Sequence, residues 1–255
     1  MIEIRIVTPI TTVGFRRPDV FERLTPQGCR ITQGQIELGP VSVESALDEV
    51  LASPGVVQEA IRAEADGADV VIIDCMLDPA LEAARESVSI PVIGAGECGF
   101  FHAAQHGKFA IVTVLDRQKR AFLSKGAMHG LSDKLVDVLG IGVNVLDLDS
   151  APDKTLKAST AAAKPLIESG EVDAILFGCT GMLGLAEPLA QKLGIAPSNV
   201  VDPLPTAILY AKSLVENPDQ NDVDRLSHFP TPDVKPIKGF DDWPLIRDKF
   251  ARKSV

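Results

Sequence analysis

The chain has 255 residues, 45% of them hydrophobic and 24% charged, enough for one large globular domain or two small ones. Its formal net charge of −10 excludes the basic stripe with which a nucleic-acid binder meets phosphates. Its apolar runs are strand-sized, too short to span a membrane, and the N-terminal stretch has no basic region leading into a long apolar segment, so a soluble, cytoplasmic protein is expected.

In chain order, Ile2 to Thr8 alternates apolar and polar residues and reads as a strand, stopped by Pro9. A loop rich in Gly, Pro and Arg follows, then a short strand near Cys29 to Thr32. Val43 to Ala65 reads as helix broken at Ser53-Pro54. Val70 to Ile73 is short, continuously apolar and β-branched, the pattern of a fully buried parallel strand. Pro79 to Glu86 is helical, and Pro91-Val92-Ile93 is a strand ending at Gly94.

The theme then repeats. Phe109 to Val114 is a strand, Arg117 to Lys125 a helix, and Leu135 to Leu146 holds one or two strands. Lys154 to Glu168 is an alanine-rich helix, Ala174 to Phe177 a buried strand, Ala186 to Leu193 a helix and Val200-Val201 a short strand. Pro205 to Val215 is a helix placed to cross back to the first half. Alternation of this kind predicts an α/β protein with parallel sheets and helices on both faces. The expected division is 1–95 plus about 205–216 for the first half and 96–204 for the second. Residues 217–255, proline-rich and holding Trp243, read as an irregular arm on the surface or on a neighbouring subunit, or as partly disordered chain.

Two segments match each other. Asp69 opens a run of four apolar residues, one linker and Cys75; Asp173 opens the same run to Cys179. In open parallel sheets ligands bind beyond the C-terminal strand ends, where helix N-termini stabilise a thiolate. Two cysteines at matching positions therefore imply a symmetric pair facing one cleft. Such a pair suits inversion at a carbon acid: one thiolate removes the α-proton, and the opposite thiol, tuned toward neutral pKa, delivers one to the other face. The N–H groups of Met76, Thr180 and Gly181, with the Thr180 hydroxyl, are candidate donors to the enolate oxygen.

The segments Asp74-Cys75-Met76-Leu77-Asp78-Pro79, Ile90-Pro91-Val92-Ile93-Gly94-x-x-Glu97 and Gly178-Cys179-Thr180-Gly181-Met182 resemble the aspartate/glutamate racemase superfamily. Gly39-Pro40-x-Ser42-Val43-Glu44 is similar to an element of its hydantoin and allantoin racemase branch. The resemblance spans roughly Met1 to Val215. It implies two flavodoxin-like halves about a cleft and cofactor-independent proton transfer between Cys75 and Cys179. The substrate would be a small carbon acid that is hydantoin-, allantoin- or amino-acid-like. The chain departs from the branch at Pro9-Ile10-Thr11-Thr12, where Pro-Asn-Thr is typical.

Other readings stand beside this one. A cis–trans isomerase would use one cysteine as nucleophile, and a non-enzymatic sensor or thiol redox protein would join the two as a disulfide. Retention of both cysteines argues against a decarboxylase. Thr8, Pro9, Thr11 and Thr113 end strands at the cysteine edge and are candidate substrate contacts, with helix capping the plainer role for Thr113. Glu97 reads as a substrate contact or a helix cap, and Asp78-Pro79 as a helix start. Arg16 and Arg17 form a lid or anion clamp, or simply a solvated loop. Cys29 and Cys98 read as core. No metal is expected: Cys-x-x-Cys is absent, and His102, His106, His129 and His228 offer a single i,i+4 pair. A homo-oligomer is expected from the C-terminal arm.

Overall fold

The computed structural model describes residues 1–217, 230–233, 235 and 241–250. Its described part holds two four-stranded sheets, all parallel. The first contains β1 (Ile2–Thr8), β2 (Cys29–Gln35), β3 (Val70–Ile73) and β4 (Val92–Gly94), in the order β2-β1-β3-β4. The second contains β5 (Phe109–Thr113), β6 (Leu135–Gly140), β7 (Ala174–Phe177) and β8 (Val200–Val201), in the order β6-β5-β7-β8. The two orders are one order used twice. In each, the chain reverses its direction of winding between the first strand and the third, which opens a crevice at their C-terminal ends.

The aspartates of the repeat explain why both halves start alike. The Asp69 carboxylate accepts the Glu3 N–H at 2.7 Å, and the Asp173 carboxylate accepts the Lys108 N–H at 2.8 Å. Each aspartate also donates its own N–H back to the same residue's carbonyl, at 2.9 and 2.7 Å. This exchange fixes the third strand of each half to the first strand in the same register. The distance from aspartate to cysteine then delivers both cysteines to the same height.

Nine helices are described: α1 (Pro18–Leu24), α2 (Ala46–Ala65), α3 (Leu81–Ser87), α4 (Ala95–Gln105), α5 (Lys119–Met128), α6 (Pro152–Glu168), α7 (Ala186–Leu193), α8 (Pro203–Glu216) and α9 (Pro244–Phe250). Strand alternation sorts the side chains between two faces. Ile4, Ile6, Val70 and Ile72 pack with Leu204, Ala207, Ile208 and Ala211 of α8. Val7, Val71 and Ile73 face α2 through Val56, Ala60 and Ala63. In the second sheet, Phe109, Ile111, Ala174 and Leu176 pack with Phe100, Ala103 and Ala104 of α4. Ala110, Val112, Ile175 and Phe177 join a separate cluster with Leu189 and Ala190 of α7. The two sheets thus exchange helices: α4, which follows the first sheet's last strand, covers the second sheet, and α8, which follows the second sheet's last strand, covers the first.

Several elements differ from expectation. Helix α2 runs unbroken through Pro54. An interior proline costs about 3 kcal/mol in a helix, but Ala52, Val56, Ala60 and Ala63 continue a fully buried face on both sides of it. Gly55 lies so close to Ile36 that a Cβ there would stand 2.8 Å from it. The loop after β1 contains α1, and Leu135 to Leu146 holds one strand followed by a 3-10 turn, Val145–Asp147. The C-terminal arm, expected to be irregular, includes α9. Ile246 is buried, Trp243 and Leu245 pack on the core, and the Leu245 N–H donates to Gln58 Oε1 of α2 at 3.4 Å. Residues 218–229, 234, 236–240 and 251–255 of that arm, His228 included, lie outside the described residues. Among the described residues no helix is long and apolar enough to cross a membrane.

Candidate active site

Cys75 and Cys179 each lie two residues beyond their strand. The residue before each donates its N–H to the end of the neighbouring strand, Asp74 to Val7 O at 2.9 Å and Gly178 to Val112 O at 2.7 Å. The Cys179 sulfur accepts the Gly181 N–H at 3.4 Å, and the Leu77 N–H serves Cys75 in the same way. Both sulfurs therefore take an N–H from two residues further on. The expected helix N-termini are displaced. Helix α3 begins only at Leu81, after Asp78 and Ala80 adopt left-handed φ of 44° and 59°, and α7 begins at Ala186 after the 3-10 turn Thr180–Met182.

The two turns meet at a small cavity. Cys75, Cys179, Thr8, Pro9, Met76 and Thr180 line it. Its other walls are mostly apolar, from Ile10, Phe15, Val43, Leu77 and Val145, with Asp74, Gln118 and Gly178 completing it.

Four expected substrate contacts are placed otherwise. Thr11 points its hydroxyl to Pro40 O at 3.2 Å and ties the loop after β1 to the loop after β2. Thr113 is fully buried; its hydroxyl donates to Gln118 Oε1 at 2.7 Å, so Gln118 is the side chain of that pair that reaches the cavity. The Gly181 N–H is engaged with the Cys179 sulfur. Glu97 is ion-paired to buried Arg85 at 2.6 Å and lines a surface groove between α4 and α8 instead. It is Asp78 that caps α4, accepting the N–H groups of Gly96 and Glu97 at 2.9 and 2.7 Å. The Thr180 hydroxyl is also engaged, donating to Asp74 O at 3.3 Å.

Besides this bond from the Thr180 hydroxyl, two further links cross the cleft, neither of them expected. Arg16 leaves the solvated-loop expectation entirely. Its side chain is 5% exposed and grips both Asp74 oxygens, through Nε at 2.7 Å and Nη2 at 2.9 Å. Nη2 also donates to Thr180 O at 2.8 Å. Arg17, by contrast, is exposed and paired to Asp19. The second link runs from the Val145 N–H to Glu44 Oε1 at 3.0 Å, which gives a structural role to the Gly39–Glu44 motif. A lone arginine in a loop has no periodicity or partner spacing to betray it; the only clue was a charged Asp74 directly after a buried strand.

Electrostatics at the site follow from burial. Desolvation pushes the Cys179 thiol up to about 11, although the Gly181 N–H and the Arg16 guanidinium oppose it. Desolvation also raises Cys75 well above its ordinary value, against the Leu77 N–H and with the help of Asp78, Cys179 and Glu49. The expected tuning toward neutral pKa is thus corrected: withdrawal from water outweighs two single N–H groups. Burial works against the Arg16 charge, but Asp74 outweighs it and holds the guanidinium above its usual value. Cys29 and Cys98 are buried in the cores, as expected.

Comparison with known proteins bears on this arrangement. The family model described as Asp/Glu/Hydantoin racemase matches residues 19–211. A hydantoin racemase of Pseudomonas sp. (strain NS671) is 29% identical over 217 residues, covering 84% of this chain and 86% of that protein. Among solved structures, allantoin racemase from Klebsiella pneumoniae superposes with a TM-score of 0.81 at 25% identity, covering 95% of this chain and 99% of that one. Allantoin racemase from Pseudomonas fluorescens gives 0.83 at 26% identity, covering 93% and 100%. The chain belongs to the Asp/Glu/Hydantoin racemase family, a family of isomerases, and within it to the hydantoin/allantoin racemase-like branch.

Proposed function

We propose that the protein is a cofactor-independent racemase or epimerase of a small, hydantoin- or allantoin-like carbon acid, acting by proton transfer between Cys75 and Cys179. One observation carries the reading: two cysteines on equivalent turns of two equivalent sheets line the same cavity, each sulfur supported by the N–H two residues on. One ionised thiol removes the proton on carbon; the other, kept protonated by burial, supplies a proton to the opposite face. The desolvated thiolate is a stronger base than one in water. The N–H groups of Met76 and Thr180, each directly after a cysteine, are the proposed donors to the enolate oxygen. Thr8, Pro9 and Gln118 are proposed to orient the ring, and the apolar walls to hold its substituent. A homo-oligomer is also proposed, supported by exposed Val13, Val41, Leu47 and Val50 on neighbouring segments.

The test is polarimetry of single enantiomers of allantoin and of 5-substituted hydantoins. Wild-type protein is expected to discharge the rotation of at least one of them. Cys75→Ser and Cys179→Ser are each expected to lose roughly 10²- to 10⁴-fold in rate. Full activity in either variant would refute the two-thiol reading.

A further inference from the structure

We propose that Arg16 is a positioning residue for this reaction: bound to Asp74 on its own side of the cleft and to Thr180 O across it, it holds the turn of Cys179 against the turn of Cys75 and sets its positive charge beside Cys179. The inference rests on the two-thiol reading.

The internal repeat shows that the pair is not demanded by the fold. Asp74 occupies the position that Gly178 occupies in the second half. There the strand end closes without a carboxylate, and a Cβ on Gly178 would stand 2.5 Å from Thr113. The first half instead buries a carboxylate with no exposed side-chain surface and neutralises it from a loop. Taking both charges out of water is costly, and an apolar pair of similar size is often as stable. This pair joins the turns of the two cysteines. Arg16 holds the residue before Cys75 and the residue after Cys179, and the Thr180 hydroxyl closes the ring by donating to Asp74 O. The bidentate fork fixes orientation as well as distance. Phe15, the neighbouring residue, lies 5.0 Å from the guanidinium and lines the cavity, so one loop both roofs the site and clamps it.

The clamp is also lopsided in charge. Arg16 of the loop after β1, Asp74 of the β3 end and Glu44 of the loop after β2 act on Cys179, and the guanidinium favours its ionisation. Asp78, Glu49 and the other thiol act on Cys75, and all oppose ionisation. The guanidinium thus favours the Cys179 thiolate, and none of these charged groups does so for Cys75.

Three full-length variants test this. Arg16→Met/Asp74→Ala removes both charges together, so no buried ion is left unpaired. Arg16→Gln removes the cation alone. Arg16→Lys keeps the charge and loses the fork. Each thiol is followed by its iodoacetamide labelling rate between pH 8 and 10, below its midpoint, where a midpoint higher by one pH unit labels about tenfold more slowly; the rates are read by peptide mass spectrometry, and turnover is read as deuterium exchange into 5-methylhydantoin. The double variant is expected to keep the wild-type melting temperature yet to lose at least about tenfold in kcat, with KM changed far less. The Cys179 labelling midpoint is expected to rise by about one pH unit in Arg16→Gln and by less in the double variant, while that of Cys75 stays put. Arg16→Lys restores the Cys179 midpoint but not kcat. An unmoved Cys179 midpoint, or a double variant with wild-type kcat, would overturn the proposal. Labelling needs no substrate, so it decides the clamp even where the hydantoin is not turned over. Failure of the two-thiol reading shows separately, as persistent activity in the cysteine-to-serine variants.

Discussion

At the scale of single residues, burial sets the expected pH response. With Cys179 pushed up to about 11 and Cys75 also raised, both thiols are protonated near neutrality. The working form holds one thiolate and one thiol, so its population grows as pH rises. In the proposed mechanism, log(kcat/KM) should climb with a slope near one from pH 7 to at least about pH 9. A plateau beginning at pH 7 would mean that a group other than the Leu77 and Gly181 N–H groups and Arg16 tunes the first thiol. The two cysteines were legible in the sequence because the repeat fixes their distance from Asp69 and Asp173. Arg16 and Gln118 were not. Each reaches the site from a loop or a 3-10 turn, where neither hydrophobic periodicity nor the repeat gives a side chain its direction.

At the scale of elements, a buried carboxylate backs the first cysteine turn. Asp78 caps α4 from the loop after Cys75, and a Cβ on Gly94 would fall 2.3 Å from its carboxyl carbon, which is why that strand ends in glycine. Desolvation raises Asp78 to about 7, against Lys125 and the two N–H groups it accepts. Its pKa is higher folded than unfolded, so the folded state binds more protons between roughly pH 4 and 7. Stability from this group therefore grows as pH falls through 7 and is lost as pH rises, by at most about 1.4 kcal/mol per pH unit. In urea denaturation, the stability of wild type relative to Asp78→Asn should increase from pH 8 to pH 6; a constant difference would contradict the assignment. Asp202 occupies the matching strand end in the second half, accepts the Gly184 N–H at 3.2 Å and is likewise raised by burial, to about 6. The strands and most helices were readable from pattern alone. The break expected at Pro54 was not found, because burial along α2 outweighs a local preference that a sequence window weighs by itself.

At the scale of the whole molecule, the exchange of α4 and α8 joins the halves. Phe100 of α4 is fully buried against the second sheet, 6.1 Å from Phe109 in an edge-to-face contact. Phe100→Ala should cost about 3–5 kcal/mol in urea denaturation and leave one cooperative transition, since each sheet relies on a helix from the other half. Two separate transitions in wild type would show that the halves fold independently. The exchange could be glimpsed in the sequence only as a helix after Val201 placed to cross back, because which face it covers depends on contacts between distant segments. All of this serves to bring two thiols to one cavity. The most direct test of that claim is proton NMR in D₂O, starting from a single enantiomer of a turned-over hydantoin. Two-base transfer is expected to put deuterium into the newly formed enantiomer while the remaining substrate keeps its proton, and formation of the deuterated enantiomer is expected to be lost in Cys75→Ser and in Cys179→Ser. Deuterium entering the starting enantiomer as fast as the product, or inversion that survives loss of either thiol, would contradict it.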